Sequence, residues 1–196
     1  MESGQTKLTG PPTDNRQVPV DVRAQTDSDQ EDVRTVLTAA FGDGGRVAAL
    51  AEALRARADT QAGLVATRDG TVVGHTQLST SWLDAPTRLV EVLTLSPLAV
   101  SPSAQRRGIG RLLLTEATRT ARELGSPLLF LEGDPAYYSR RSWLPATPLG
   151  FTAPSPRIPA AAFQVVTLPG YEPDTMHGPL VYNDTFWAHD SVGLRP

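Results

Sequence analysis

The sequence predicts a single mixed α/β domain with an antiparallel meander at its centre. Three observations carry this: short apolar runs of strand type, intervening stretches with apolar residues at helical spacing, and an Asp-Gly pair joining two of the strand-like runs. The expected order is β-α-α-β-β-β-α-β-α-β, with no internal repeat and no interior linker.

Each element has a local reason. Residues 2–19 are polar and rich in Gly, Pro and Thr, so ordering them would recover little apolar burial, and residues 1–19 are expected to form a loose tail. Val20 to Ala24 alternates apolar and polar, as a half-buried strand does. Ser28-Asp29-Gln30-Glu31 has the spacing of a capping box, and Val33, Val36, Leu37, Ala40 and Phe41 then follow helical spacing up to Gly42. Val47, Leu50, Ala51 and Leu54 form a second helical stripe. The runs Gly63 to Thr67 and Thr71 to Leu78 flank Arg68-Asp69-Gly70, a hairpin signal.

Leu89 to Val100 is almost wholly apolar, and Pro97, which has no N–H to give to a ladder, predicts a bulge or a local splitting of the sheet. From Ile109 to Leu124 the helical period returns, with Ile109, Leu112, Leu113, Ala117, Ala121 and Leu124 on one face and Gly125 as the stop. Pro127 to Leu131 reads as a buried strand, Pro135 to Trp143 as a short helix opened by proline, and Ala161 to Leu168 as a last strand. The domain is expected over residues 20–170. Residues 171–196 are turn-rich yet carry Tyr182, Phe186 and Trp187, so they are expected to pack on it as an extension.

Composition excludes several function classes. With 196 residues the chain can bury a core without staples, and it has no cysteine, which rules out disulfides, thiolate nucleophiles and zinc-cysteine sites. No histidines stand at metal-ligand spacing, so no metal is expected. A net charge of −3 argues against general nucleic-acid binding. No stretch reaches the ~20 apolar residues that span a bilayer, and no apolar run of signal-peptide length occurs near Met1, so a cytoplasmic location without membrane contact is expected.

The stretch with chemical content is Leu98 to Arg111, where a strand passes through a short loop directly into a helix start. Unpaired backbone N–H groups converge there at the positive end of the helix dipole and favour an anion. Gly108 and Gly110 remove side chains from that approach, and Arg106, Arg107 and Arg111 add positive charge, a combination suited to a pyrophosphate. Rival phosphate motifs fail: no Gly-Lys dipeptide occurs anywhere, and Leu113 stands where the dinucleotide fingerprint needs its third glycine.

Gln105-Arg106-Arg107-Gly108-Ile109-Gly110 resembles the Q/R-x-x-G-x-G/A element of the GNAT superfamily of acetyl-CoA-dependent N-acetyltransferases, and Leu95 to Val100 is similar to the strand before it. Gly133-Asp134-Pro135-Ala136-Tyr137-Tyr138 resembles a bacterial subgroup with a G-D-P-x-Y-Y element. The resemblance implies a mostly antiparallel sheet, splayed at its centre, with helices on both faces. It implies acetyl-CoA as acyl donor, bound by Leu98, Ala99 and Val100 along pantetheine and by Gln105, Arg106, Arg107, Gly108, Ile109, Gly110 and Arg111 around pyrophosphate. The implied reaction is direct acetyl transfer to a primary amine of a small molecule or peptide. A CoA-binding module without turnover, a longer acyl chain and a hydroxyl acceptor stay open, as does a homodimer.

The resemblance also assigns roles. Tyr138 stands where the family carries the tyrosine that protonates the leaving thiolate, although the Gly-Phe pair that follows it there is Ser142-Trp143 here. The position of the family's glutamate base falls at Thr94, which cannot take a proton from an ammonium. Glu91 lies three residues further up the strand, an odd offset that serves as a base only if a bulge intervenes. Asp134, Glu132 and His75 are the other candidates, and Trp82 and Trp143 are candidate acceptor-pocket residues.

Overall fold

In the computed structural model, which describes residues 19–193, one sheet organises the chain. Its strands are β1 (Asp21–Ala24), β2 (Thr60–Arg68), β3 (Thr71–Asp84), β4 (Leu89–Val100), β5 (Leu128–Glu132), β6 (Leu144–Pro145), β7 (Phe151–Thr152), β8 (Phe163–Thr167) and β9 (Gly178–Tyr182). The order is β1-β2-β3-β4-β5-β8-β6, with β9 beside β3 and β7 beside β9. Apart from β4–β5 and β7–β9, every pairing is antiparallel. The helices are α1 (Gln30–Phe41), α2 (Arg46–Ala56), α3 (Ile109–Glu123), α4 (Pro135–Tyr138) and α5 (Asp184–Ala188). None is long and apolar enough to cross a membrane.

The two sheet faces are visible in the alternation of neighbours along a strand. Leu64 packs with Ile109, Leu113, Ala117 and Ala121 of α3, whereas Val65 packs with Val33 and Leu37 of α1 and Ala51 of α2. On α3 the buried stripe is Ile109, Leu113, Leu114, Ala117 and Ala121. Leu112 and Leu124, expected inside, are 39% and 47% exposed, because the stripe rotates toward Leu114 at 3.6 residues per turn.

Other expectations are corrected at element ends. The helix start uses Thr26 and Asp29 instead of Ser28 and Glu31: the Asp29 carboxylate accepts from the Thr26 amide at 2.7 Å and from both terminal nitrogens of Arg23 at 2.7 and 2.8 Å. Asp29 is buried, and the guanidinium holds its carboxyl far below the usual range. The helix expected to run to Trp143 stops at Tyr138 and continues as a 3-10 turn, Ser139–Arg141. The loose tail expected over residues 1–19 lies, but for Pro19, outside the described residues. Tyr182, Phe186 and Val192 are buried in the same cluster as Phe130 of β5.

Two features of β4 set up the site. Thr76 faces Leu98 and Leu78 faces Leu95, so Gln77 alone opposes Ser96 and Pro97, the bulge expected at the proline. The Ser96–Pro97 peptide is cis. Beyond the bulge β4 stays paired with β3, but it meets β5 only at Leu93↔Leu129 and Thr94↔Phe130.

His75 lies in β3 beneath α1 and α2, fully buried, with Nδ1–H donating to the Leu64 carbonyl at 3.1 Å. Burial draws its pKa down to about 4; the hydrogen bond to Leu64 opposes the fall and Arg55 adds to it. A buried neutral histidine with a depressed pKa stabilises the fold fully above its unfolded value and less as pH falls toward the folded one. The unfolding free energy from urea titration should therefore drop between pH 6.5 and pH 4, by up to about 3 kcal/mol from this group. His75→Gln should flatten that slope, and an unchanged slope would assign it to other groups.

Candidate active site

The loop after β4 is fastened at both ends and open in the middle. Ser101 N–H donates to the Val73 carbonyl at 2.9 Å, Ala104 N–H to the Ser101 carbonyl at 2.8 Å, and the Gln105 side chain to the Val100 carbonyl at 3.1 Å. Arg106 and Gly108 take left-handed φ values of 60° and 83°, which turn the chain sharply into α3. The first helical amide with a partner is Leu112, on the Gly108 carbonyl at 3.1 Å. Among the described residues, no hydrogen bond uses the amides of Gln105 to Arg111. At Gly110 a Cβ would run into the Tyr137 hydroxyl.

Those amides border a cleft of about 520 Å³. Leu98, Val100, Gln105, Arg106, Gly108, Ile109, Gly110, Arg111 and Tyr138 line it. Ala99 does not, because it points to the other sheet face and packs with α1 and α2. Arg107 is exposed outside the lining. Tyr137, quoted from the sequence only within the G-D-P-x-Y-Y element and given no role, and Arg141, which no sequence argument singled out, complete the wall: the guanidinium stacks 3.8 Å over the Tyr137 ring and also donates to the Tyr137 carbonyl. Their i, i+4 spacing within the stretch expected to be one short helix was the available signal.

α4 aims the two tyrosines. Pro135 opens it, and the Asp134 carboxylate caps it by accepting from the Ala136 amide at 2.9 Å. Tyr138 lies against Gly133, with its ring edge-on to Tyr137 at 4.9 Å and to Trp143 at 6.0 Å. Burial first, then Tyr137, raises its pKa well above the ordinary phenol value, so the hydroxyl stays protonated at neutral pH. Trp143 is 1% exposed and belongs to the core under α3.

The candidate bases scatter. Thr94 is buried with its hydroxyl 2.8 Å from that of Ser81. Glu91 is exposed opposite Trp82, and the pairing from Leu89 to Leu95 is regular. The bulge that Glu91 required falls instead at Ser96–Pro97, leaving it on the face opposite Thr94. His75 is sealed under α1 and α2, and the carboxylate of Asp134 is engaged as a cap. Glu132 ends β5, half-buried, and accepts from the Tyr182 hydroxyl at 2.9 Å. Among the described residues no His, Asp and Glu cluster could hold a metal ion.

Comparison with known proteins agrees with this geometry. Residues 21–146 match the family model of the acetyltransferase (GNAT) domain. An uncharacterised N-acetyltransferase of Escherichia coli K12, YjhQ, is 33% identical over 133 residues, covering 66% of this chain and 72% of that protein. The GNAT family N-acetyltransferase YhbS of E. coli, solved with CoA, superposes with a TM-score of 0.79 at 26% identity over 92% of this chain and 96% of that one. A GNAT family acetyltransferase from Brucella melitensis, solved with acetyl-CoA, superposes with a TM-score of 0.69 at 26% identity over 87% and 99%.

Ser142 occupies a left-handed φ of 65° just before the buried Trp143. A residue with a Cβ is strained there and glycine is not. Ser142→Gly should raise stability by about 1 kcal/mol, read as an increase in Tm of roughly 2–4 °C. A lower Tm would show that the serine side chain holds the turn.

Proposed function

As the chain belongs to the GNAT acetyltransferase family, we propose that it transfers the acetyl group of acetyl-CoA directly to a primary amine of a small molecule or peptide. One observation carries the reading: a row of unpartnered amides from Gln105 to Arg111 borders a cleft whose other wall is the unpaired edge of a strand. Amides at a helix start suit a diphosphate, and the E. coli and Brucella structures bind CoA and acetyl-CoA.

Each residue then has a task. The amides of the Gly108–Gly110 loop, with Arg106 and Arg111, hold the pyrophosphate, and Arg141 adds a third cation on the same wall. Past Thr94 the main chain of β4 has β3 on one edge and no strand on the other, so its groups at Leu98 and the Val100 amide are open to the pantetheine amides, while the Val100 carbonyl is held by the Gln105 side chain. Acetyl-CoA supplies an acyl group already activated as a thioester. The chain holds no cysteine that could carry the acetyl group, which leaves attack by the amine itself. Tyr138, protonated in the cleft, donates the proton that the departing sulfur needs.

Acetyl-CoA at a hundredfold excess over its Kd should raise Tm by roughly 5–10 °C, while NAD and ATP at equal concentration should not. Equal shifts for all three would reject the donor assignment. Tyr138→Phe should lower turnover by roughly 10–100-fold at unchanged acetyl-CoA affinity, measured as thiol release against calorimetric Kd. An unaffected rate would remove the tyrosine from the reaction.

A further inference from the structure

β5 leaves β4 after the pair Thr94↔Phe130, and Glu132 is the second residue beyond that parting. Strand residues alternate faces, so Glu132 shares the side of Phe130, while Leu131 packs beneath α3. The next residue, Gly133, lies against the Tyr138 ring. One strand end therefore holds a phenol on the cleft side and a carboxylate on the other. With an acyl donor filling the α3 side of the gap, the opposite face is the approach left to its acceptor.

The surroundings of this carboxylate are unusual for a structural one. It accepts from the Tyr182 hydroxyl of β9 at 2.9 Å and from the Gly193 amide. The charged group facing it is Arg157, whose guanidinium is tied to the Val192 carbonyl at 2.9 Å and which makes no ion pair with Glu132. A half-buried anion fixed by neutral donors is a site for an arriving cation. Burial raises its pKa above the ordinary carboxylate value, with Tyr182, Gly193 and Arg157 opposing, and a raised carboxylate is a better proton acceptor.

We propose that Glu132 receives the acceptor amine, binding the incoming ammonium on the face opposite α3 and taking its proton. The proposal rests on the acetyl-transfer reading above. Glu132 takes one proton from the ammonium and releases it to solvent. The lone pair of the neutral nitrogen forms the N–C bond while the C–S pair leaves on sulfur. The second N–H proton goes to Glu132 and the Tyr138 proton to sulfur, after which Glu132 returns its proton to Tyr138 through solvent. The products are the amide, the free thiol and one proton.

Thiol release from acetyl-CoA, followed from pH 5 to 9 with spermidine, kanamycin, lysine and a short peptide as acceptors, tests this. Glu132→Gln keeps an oxygen for Tyr182 and the strand end, so its Tm and its thermal shift with acetyl-CoA should match the wild type. Its kcat should fall roughly 100-fold and lose the acid limb of the pH profile. Tyr182→Phe removes a donor to the anion and should move that limb to higher pH. A Glu132→Gln enzyme with the wild-type rate and limb would overturn the role of Glu132 and leave acetyl transfer standing. A wild-type protein that binds acetyl-CoA but releases no thiol with any of these amines would overturn both.

Discussion

The site depends on an unequal division of the two edges of β4. One edge stays paired with β3 from Leu89 to Leu95 and again from Leu98 to Val100, so the strand is rigidly placed. The other meets β5 at only two residue pairs and then stands free. Backbone groups left unpaired inside a folded protein are expensive, so a free edge persists where solvent or a ligand takes up the exposed groups. The bulge at Ser96–Pro97 belongs to the same arrangement, because it turns Leu98 and Val100 toward α3 and sends Ala99 to the other face. The strand then delivers the chain to the loop whose amides α3 leaves unused.

Much of this was legible in the sequence where local chemistry decides the outcome. Asp69 and Gly70 both take positive φ, as a two-residue hairpin demands, and the Ile109, Leu113, Ala117 and Ala121 spacing lies on the buried side of α3. The phosphate-type loop could be read because its glycines and arginines lie within a few residues. What escaped depends on partners distant in sequence. β3 runs six residues past Leu78 through Ser79, Thr80 and Ser81, a polar stretch that reads as loop until β9 and β4 cover it. β6 and β7 are two residues each, too short for any periodicity. The base question was unanswerable from spacing alone, since only the register of β3 shows that no irregularity separates Glu91 from Thr94.

The chain beyond residue 171 contributes more than cover. β9 continues the edge of β3 past the end of β2, α5 follows it, and the Phe186 and Tyr182 rings pack at a tilt, 4.8 Å apart, within the cluster that includes Phe130. Asn183 ties the segment to the Thr80 carbonyl at 2.9 Å, and Thr185 to Asp59 at the same distance. The hydroxyl on Glu132 thus arrives from a strand fixed by the central sheet. The position of that carboxylate is set jointly by β5 and by residues fifty positions further along.

The contact between Gly110 and Tyr137 has a bearing on how such loops change over time. Alanine is the better helix former by about 1 kcal/mol, and the family element tolerates it at this place. Here a single methyl would displace the phenol, and with it the arginine stacked on the ring and the turn that presents the neighbouring tyrosine. The two positions are coupled in inheritance: a lineage that trades the second glycine for alanine must also let the side chain at 137 swing aside or shrink.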